Sequence, residues 1–271
     1  MSFSKITETL KKELKDTPKI ALILGSGLGY LTNSFDNSVD IPYKSIERFP
    51  TSTVKGHKGR LVAGYFMDKY VIAMDGRFHY YEGHDIKKLV VPLYVFKELG
   101  VESLIITNAA GSINKSFNPG DLVAIEDIIN FSFRNPLIGP NDERFGPRFP
   151  DMSSPTNKEW LSQIEQRSFN QNIDLKRGTY IWVTGPTYET PGEINMFRKL
   201  GADMVGMSTV PEIIVANYLD LKVIAFSCIT NMASGILEKK LEHSEVVRAA
   251  KMASKKFEAV VKISIEEEDV I

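Results

Sequence analysis

The sequence predicts an α/β fold in one domain, a central mixed sheet flanked by helices, and three observations carry this. Short apolar runs of strand character alternate with helix-period segments from one end of the chain to the other. No linker, internal repeat or break in composition divides the 271 residues, a length that fits one large α/β domain over 1–271. The apolar runs end in glycine or in small polar and charged residues, which is where α/β sheets hold their ligands.

Residues 3–15 read as an amphipathic helix with Phe3, Ile6, Leu10 and Leu14 on one face. Pro18 separates it from five apolar residues, 20–24, that suit a strand buried on both faces. The turn Gly25-Ser26-Gly27-Leu28-Gly29 follows at once; its glycines let the backbone come close to a ligand, and its N–H groups and hydroxyl favour an anion. Residues 36–60 read as a polar loop ending in Gly56-His57-Lys58-Gly59-Arg60, and strands follow over 61–66 and 70–74. The loop Asp75-Gly76-Arg77-Phe78-His79-Tyr80-Tyr81-Glu82-Gly83-His84 leads into a helix over 86–99 that stops at Gly100.

A strand over 103–107 runs into the loop Asn108-Ala109-Ala110-Gly111-Ser112, and a short strand covers 121–125. From 135 to 155 the chain reads as a loop with prolines at 136, 140, 147, 150 and 155; a loop that long is usually functional or at an interface. A helix near 157–167 precedes a strand over 179–184 and the segment Gly185-Pro186-Thr187-Tyr188-Glu189-Thr190-Pro191. Pro191 starts a helix to Leu200. A strand over 203–208, a helix over 211–219 and a strand over 222–230 follow. The last helix spans 244–262, with Val246, Ala250, Ala253, Phe257 and Val260 inward, and the acidic run 266–269 reads as a solvated tail without function.

Apolar residues at 43 % and charged residues at 25 % fit neither a disordered chain nor a membrane protein. A net charge of −1 offers no basic field for nucleic acid. The first fifteen residues carry Lys and Glu among their apolar positions, so no signal-peptide core is expected, and no apolar run is long enough to span a bilayer. The single cysteine, Cys228, sits in an apolar run and predicts a buried, inert thiol in a reducing compartment. Four scattered histidines give no zinc spacing. The expectation is a cytoplasmic protein with no metal, membrane or nucleic-acid partner.

The strand ends are Ser26, Arg77 with His79, Asn108, Thr184, Ser208, and Thr230 with Asn231. Ser26, Arg77 and His79 suit an anion, with His57 a fourth member: Arg offers a planar fork to phosphate oxygens, and His and Ser add directed donors. Each also has a plainer reading. The first loop is equally a simple corner, an Arg or His in a loop is more often solvated or structural, Asn108 is equally a helix cap, and Glu189 a first-turn acid. The first loop lacks the dinucleotide pattern G-x-G-x-x-G, because Tyr30 stands sixth. Nor does Gly-Lys-Ser/Thr follow, so it is not a P-loop. Free phosphate or a phosphorylated small molecule remains.

Seven segments in order then resemble one family. They are Gly25-Ser26-Gly27-Leu28-Gly29, Thr53-Val54-x-Gly56-His57-x-Gly59, Gly76-Arg77-Phe78-His79-x-Tyr81-Glu82-Gly83 and Thr107-Asn108-Ala109-Ala110-Gly111, followed by 139–146, 201–212 and Ile229-Thr230-Asn231. The pattern resembles the trimeric, 6-oxopurine-preferring purine nucleoside phosphorylases and covers the chain from about 18 to 262. The resemblance implies the nucleoside phosphorylase fold and reversible phosphorolysis of purine (deoxy)ribonucleosides such as inosine and guanosine, in purine salvage. It implies no cofactor, since inorganic phosphate is the co-substrate and nucleophile, and no metal.

By the same resemblance Ser26, His57, Arg77, His79, the backbone of Ala109, and Ser208 hold phosphate. Tyr81, Met207 and His243 contact the ribose, with Phe149 supplied by a neighbouring subunit of a homotrimer. Tyr188, Glu189, Val205, Thr230 and Asn231 form the base site, and Asn231, Glu189 and His79 are the catalytic set. The chain departs from the family pattern in having Tyr188 where Phe is common and Ser112 where Gly is usual, and in a shortened stretch over 232–242. Three rivals stand beside this reading. A methylthioadenosine phosphorylase on the same fold typically has Asp at the Asn231 position and an apolar residue at the His243 position. A non-catalytic purine or phosphate sensor would not need both Glu189 and Asn231. A nicotinamide-dependent oxidoreductase rests on the first loop alone.

Overall fold

Strand β1 (Ile20–Leu24) lies between β4 (Lys69–Asp75) and β5 (Ser103–Ser112), parallel to both. The computed structural model describes residues 3–25, 27–53, 58–237 and 243–268, and of residues 243–247 and 250 only the backbone. On one side of β1 the sheet continues antiparallel through β3 (Arg60–Phe66) to β2 (Asp36–Pro42). On the other, β9 (Lys222–Met232) runs parallel to β5. Strands β6 (Leu122–Asn130), β7 (Leu175–Trp182) and β8 (Met204–Gly206) are mutually parallel and run against β5 and β9. Because β5 bonds to both β8 and β9, and β6 to β9, these five strands close on themselves.

All five side chains of β1 are buried, as a strand covered on both faces requires. Ile20, Leu22 and Leu24 pack in one layer with Trp160 and Ile164 of α4 (Lys158–Asn170) and Phe257 and Val260 of α7 (His243–Glu267). Ala21 and Ile23 belong to the opposite layer, with Leu10 of α1 (Ser4–Glu13), Phe96 of α3 (Val91–Leu99) and Ile213 of α6 (Val210–Tyr218). A smaller cluster packs Ile194 and Phe197 of α5 (Pro191–Lys199) against Val205. The mixed sheet flanked by helices agrees with the expected fold class.

Strand bounds shift by a few residues at β6, β7 and β8, and the larger departures from the sequence reading lie at four places. The expected loop over 36–60 contains β2, a mostly exposed edge strand that pairs with β3 and turns only Val39 and Ile41 toward the core. The expected helix over 86–99 is two: α2 (Ile86–Leu89), capped by Asp85, and α3. Pro92 sits in the first turn of α3, and a proline has no N–H to continue a helix from the preceding turn. The segment Asn108–Ser112 is not a loop, since β5 continues through it against β9. The acidic tail is not merely solvated: Arg167 pairs with Glu266 and Glu267 at 3.0 Å, and Ser103 donates to Glu268 at 2.7 Å. That ties the end of α7 to α4 and β5. Asp269 lies outside the described residues.

Candidate active site

Arg77, His79, Tyr81, Ala109, Tyr188, Glu189, Val205, Met207, Ser208, Thr230 and Asn231 all line one cavity of about 140 Å³. Phe149 does not line it. It stands 85 % exposed on the long loop, beside a second cavity shared with Arg148 and Pro150. Thr184, a strand end expected to converge, is not among the lining residues. Ser26, His57 and the side chain of His243 lie outside the described residues.

Three backbone features bring the lining together. Strands β1, β4, β5 and β9 run parallel, so Gly25, Arg77, Asn108 and Asn231 come to one end of the sheet. Gly25 is needed because β5 passes close by: an added Cβ would lie 2.6 Å from the Thr107 carbonyl oxygen. Ser208 arrives from the opposite direction. Strand β8 starts beyond Gly111, pairs Val205 with Gly111 and runs back along β5, which returns Ser208 to Asn108 and Arg77. The third feature is a bulge in β9. Ala110 pairs with Ile229 and Gly111 with Asn231, leaving Thr230 as an extra residue. Successive strand side chains otherwise alternate between faces, and the bulge lets both Thr230 and Asn231 reach the cavity.

At one end of the cavity Arg77 is 1 % exposed. Its Nη1 donates to the hydroxyls of Ser208 at 2.8 Å and Thr209 at 2.7 Å, and its Nη2 donates to the Thr107 carbonyl at 2.7 Å. Glu212 lies 4.0 Å from its Nε. The guanidinium therefore organises the hydroxyls of this wall as well as charging it. Asn108 Nδ2 also donates to Thr209 Oγ1, at 2.9 Å, and Ser227 Oγ donates to Asn108 Oδ1 at 2.7 Å. Thr209 has φ 75° and ψ −45°, and Val210 N donates to Ser208 O across it at 2.8 Å. This is a γ-turn of the strained hand in a β-branched residue, a conformation that costs on the order of 1–3 kcal/mol and is held by its surroundings.

His79 is anchored by Glu82. One carboxylate oxygen accepts from His79 N at 2.8 Å and lies 3.1 Å from Nδ1, and the other accepts from Thr53 N at 2.5 Å and Thr53 Oγ1 at 2.8 Å. A carboxylate only accepts, so Nδ1 carries the proton. The Tyr81 ring stacks on the imidazole with centroids 4.7 Å apart. Burial alone would raise the Glu82 carboxyl, but these hydrogen bonds outweigh it and hold the group at about 2 rather than 4.5. A carboxyl whose pKa is lower in the folded chain adds stability above its unfolded value, and that stability is lost as pH falls toward the folded value. Glu82→Gln is therefore expected to flatten the loss of stability below the unfolded value of 4.5. Urea midpoints of both proteins at about pH 5 and about pH 3 check this. Equal acid sensitivity would remove the role given to Glu82.

At the other end Thr230 Oγ1 donates to Asn231 Oδ1 at 2.9 Å, and Asn231 Nδ2 donates to the Met232 carbonyl at 3.1 Å. The amide is thereby oriented with one N–H unspent. Gly111 leaves it room, since an added Cβ would lie 3.2 Å from Nδ2. Burial raises the Glu189 carboxyl, and the nearby Glu193 adds to the shift. Glu189 is not the first-turn acid of α5. That place belongs to Glu193, which forms a reciprocal cap with Thr190, so Glu189 precedes the cap and lines the cavity. Asn108 likewise caps no helix but lies buried within β5.

Sequence reasoning missed Glu82, Thr209 and Ser227 as supports of the site. Glu82 and Thr209 lie inside quoted motifs. Ser227 carries no sequence signal beyond a hydroxyl in an apolar run. Burial raises the Cys228 thiol to about 12, in keeping with an inert thiol. Among the described residues no group of three or more His, Cys, Asp or Glu is placed to hold a metal ion, and no helix is long and apolar enough to cross a membrane.

The cavity thus joins a buried cation and hydroxyls to an amide, a carboxylate and tyrosine rings, a lining chemically suited, in an α/β protein, to an anion next to a polar heterocycle. Comparison with known proteins agrees. Residues 19–266 match the family model of the phosphorylase superfamily. The chain is 51 % identical to purine nucleoside phosphorylase 1 of Bacillus subtilis over 253 residues, 93 % of each chain. A solved Schistosoma purine nucleoside phosphorylase in complex with hypoxanthine superposes with a TM-score of 0.92 at 34 % identity, covering 98 % of this chain and 96 % of that one. Isoform 2 of the Schistosoma mansoni enzyme, in complex with cytosine and ribose-1-phosphate, gives 0.90 at 39 % identity, covering 98 % and 95 %. The chain belongs to the phosphorylase superfamily, and within it to the purine nucleoside phosphorylases.

Proposed function

We propose that this chain catalyses reversible phosphorolysis of purine (deoxy)ribonucleosides, preferring the 6-oxopurines of inosine and guanosine, and so recovers free purine bases for salvage. The observation that carries the proposal is that one cavity holds both the Arg77–His79–Ser208 wall and the Glu189–Asn231 pair. A phosphate oxygen attacks C1′ of the sugar while the bond from C1′ to N9 breaks. The electron pair of that bond passes to the purine, and the sugar gains oxocarbenium character. Phosphate is the nucleophile, so the protein's task is to position three parts and stabilise charge, and no cofactor enters.

In this reading Ser26, His57, Arg77, His79, the Ala109 backbone and Ser208 hold phosphate, and Tyr81, Met207 and His243 hold the sugar. Val205, Tyr188 and Thr230 frame the base, the unspent Asn231 N–H meets N7 as charge builds there, and ionised Glu189 accepts a hydrogen bond from N1–H of a 6-oxopurine. Phe149 reaches the sugar of a neighbouring subunit in a homotrimer; its exposure on the proline-rich loop supports that placement. The chain acts as one domain over 1–271 and in the cytoplasm. Phosphate-dependent release of hypoxanthine from inosine is the expected result, with inosine and guanosine turned over much faster than adenosine or methylthioadenosine. The reverse order across that panel would overturn the base preference, and tight purine binding without turnover would favour a sensor.

A further inference from the structure

We propose that Ser227, buried and away from the cavity lining, sets the direction of a hydrogen-bond chain that makes the Ser208 hydroxyl an obligate donor to phosphate. The proposal rests on the phosphorolysis reading and adds a positioning residue to it. The chain runs from Ser227 Oγ to Asn108 at 2.7 Å, from Asn108 to Thr209 Oγ1 at 2.9 Å, and from Thr209 to Ser208 Oγ at 3.2 Å. All four side chains are buried, and Asn108 and Ser208 line the cavity.

Counting lone pairs fixes each proton. A hydroxyl has two lone pairs and one proton. Thr209 Oγ1 already accepts from Arg77 Nη1 and Asn108 Nδ2, so it has no lone pair for Ser208 and must donate across the 3.2 Å contact. Ser208 Oγ then accepts from Thr209 and from Arg77 Nη1. Both its lone pairs are filled, so its own proton points away from Thr209 and Arg77, toward the cavity and the neighbouring buried Tyr180 hydroxyl, and a phosphate dianion is a stronger acceptor than that hydroxyl. An oxygen of the phosphate dianion is the acceptor that matches. Each link polarises the next, and the buried Arg77 charge reinforces the same direction.

The direction depends on the Asn108 amide, and that depends on Ser227. If the amide turned over, Oδ1 would face Thr209 and draw the Thr209 proton to itself. Thr209 would then have a free lone pair for Ser208, and the Ser208 proton would turn inward. Ser227 Oγ donating to Asn108 Oδ1 holds the amide the first way, because the reversed amide would leave the buried Ser227 proton without that acceptor.

The test compares wild type, Ser227→Ala and Ser227→Thr by initial rates with inosine and inorganic phosphate. Ser227→Ala is expected to raise the phosphate KM by roughly tenfold or more, the scale of one hydrogen bond to a charged group. The inosine KM is expected to stay within about twofold, and Ser227→Thr, which keeps the hydroxyl, to recover most of the phosphate affinity. If Ser227→Ala leaves the phosphate KM unchanged in an enzyme whose wild type turns over, the relay is wrong and the function stands. If both KM values and the melting temperature shift together and threonine rescues nothing, Ser227 is only structural and the proposal fails. Absence of turnover in wild type would instead overturn the functional reading. Calorimetric titration of wild type and Ser227→Ala with inorganic phosphate would then decide the relay by the same tenfold criterion.

Discussion

Asn231→Ala is expected to lower kcat/KM for inosine by roughly ten- to a hundredfold while the protein folds normally, because a hydrogen bond to a charged group contributes about 1.5–3 kcal/mol. The cost falls on the transition state. In the ground state N7 is a neutral acceptor; as the bond to the sugar breaks, negative charge spreads into the ring and the amide N–H meets a stronger acceptor. Folding is spared because Asn231 is half-buried and at the end of β9, and its own protein contacts are a bond to Met232 O and one from Thr230. Without Asn231, the one Thr230 hydroxyl proton turns to Ala110 O, 3.3 Å away. The phosphate KM is expected to change little, since the Arg77 wall is left intact. A loss smaller than about tenfold, or one that falls mainly on phosphate, would remove Asn231 from the base site.

The parts of this molecule that were legible in the sequence are those where one physical effect dominates. Strand β1 announces itself because five adjacent apolar residues between Pro18 and a glycine turn suit a strand buried on both faces. The stop at Gly100 reads correctly because the helix ends there with φ 99°, a conformation in which glycine is at ease. Strand β2 was hidden because four of its seven residues are polar and only Val39 and Ile41 mark its core side, too few to show an alternation. The continuation of β5 through Asn108–Ser112 was hidden because Ala-Ala-Gly looks like a turn until β8 and β9 are placed on either side.

The site followed the same division. That strands end in polar residues was legible, and for Arg77, Asn108 and Asn231 the parallel strands bring those ends together. Ser208 reaches the same place from an antiparallel strand, and Thr230 by way of a bulge; neither pairing register is written in local periodicity. The roles of individual residues came from the order of seven motifs rather than from chemistry that the spacing alone implies. The supports, Glu82, Thr209 and Ser227, were out of reach because a serine in an apolar strand and a threonine at a helix start have many ordinary uses.

Glu189→Gln is expected to separate activity from stability in opposite directions. Burial raises the Glu189 carboxyl, so ionising it costs the folded chain free energy. A raised folded pKa means stability that is full below the unfolded pKa and is lost as pH rises through the folded one. At neutral pH the glutamine variant, which carries no charge, is therefore expected to be at least as stable as wild type. Its kcat/KM for inosine is nevertheless expected to fall by roughly ten- to a hundredfold, because a neutral amide replaces the charged acceptor for the N1 proton. The pH profile gives a second check. Wild-type kcat/KM is expected to decline on the acid side as Glu189 takes up a proton, at a pH above that of an ordinary carboxyl, and the glutamine variant is expected to lose that limb. Adenosine, which has no N1 proton to give, is expected to be affected far less, so the ratio of inosine to adenosine turnover should collapse. If Glu189→Gln weakens both substrates equally and lowers the melting temperature, the carboxylate is a structural group and the assigned base contact is wrong.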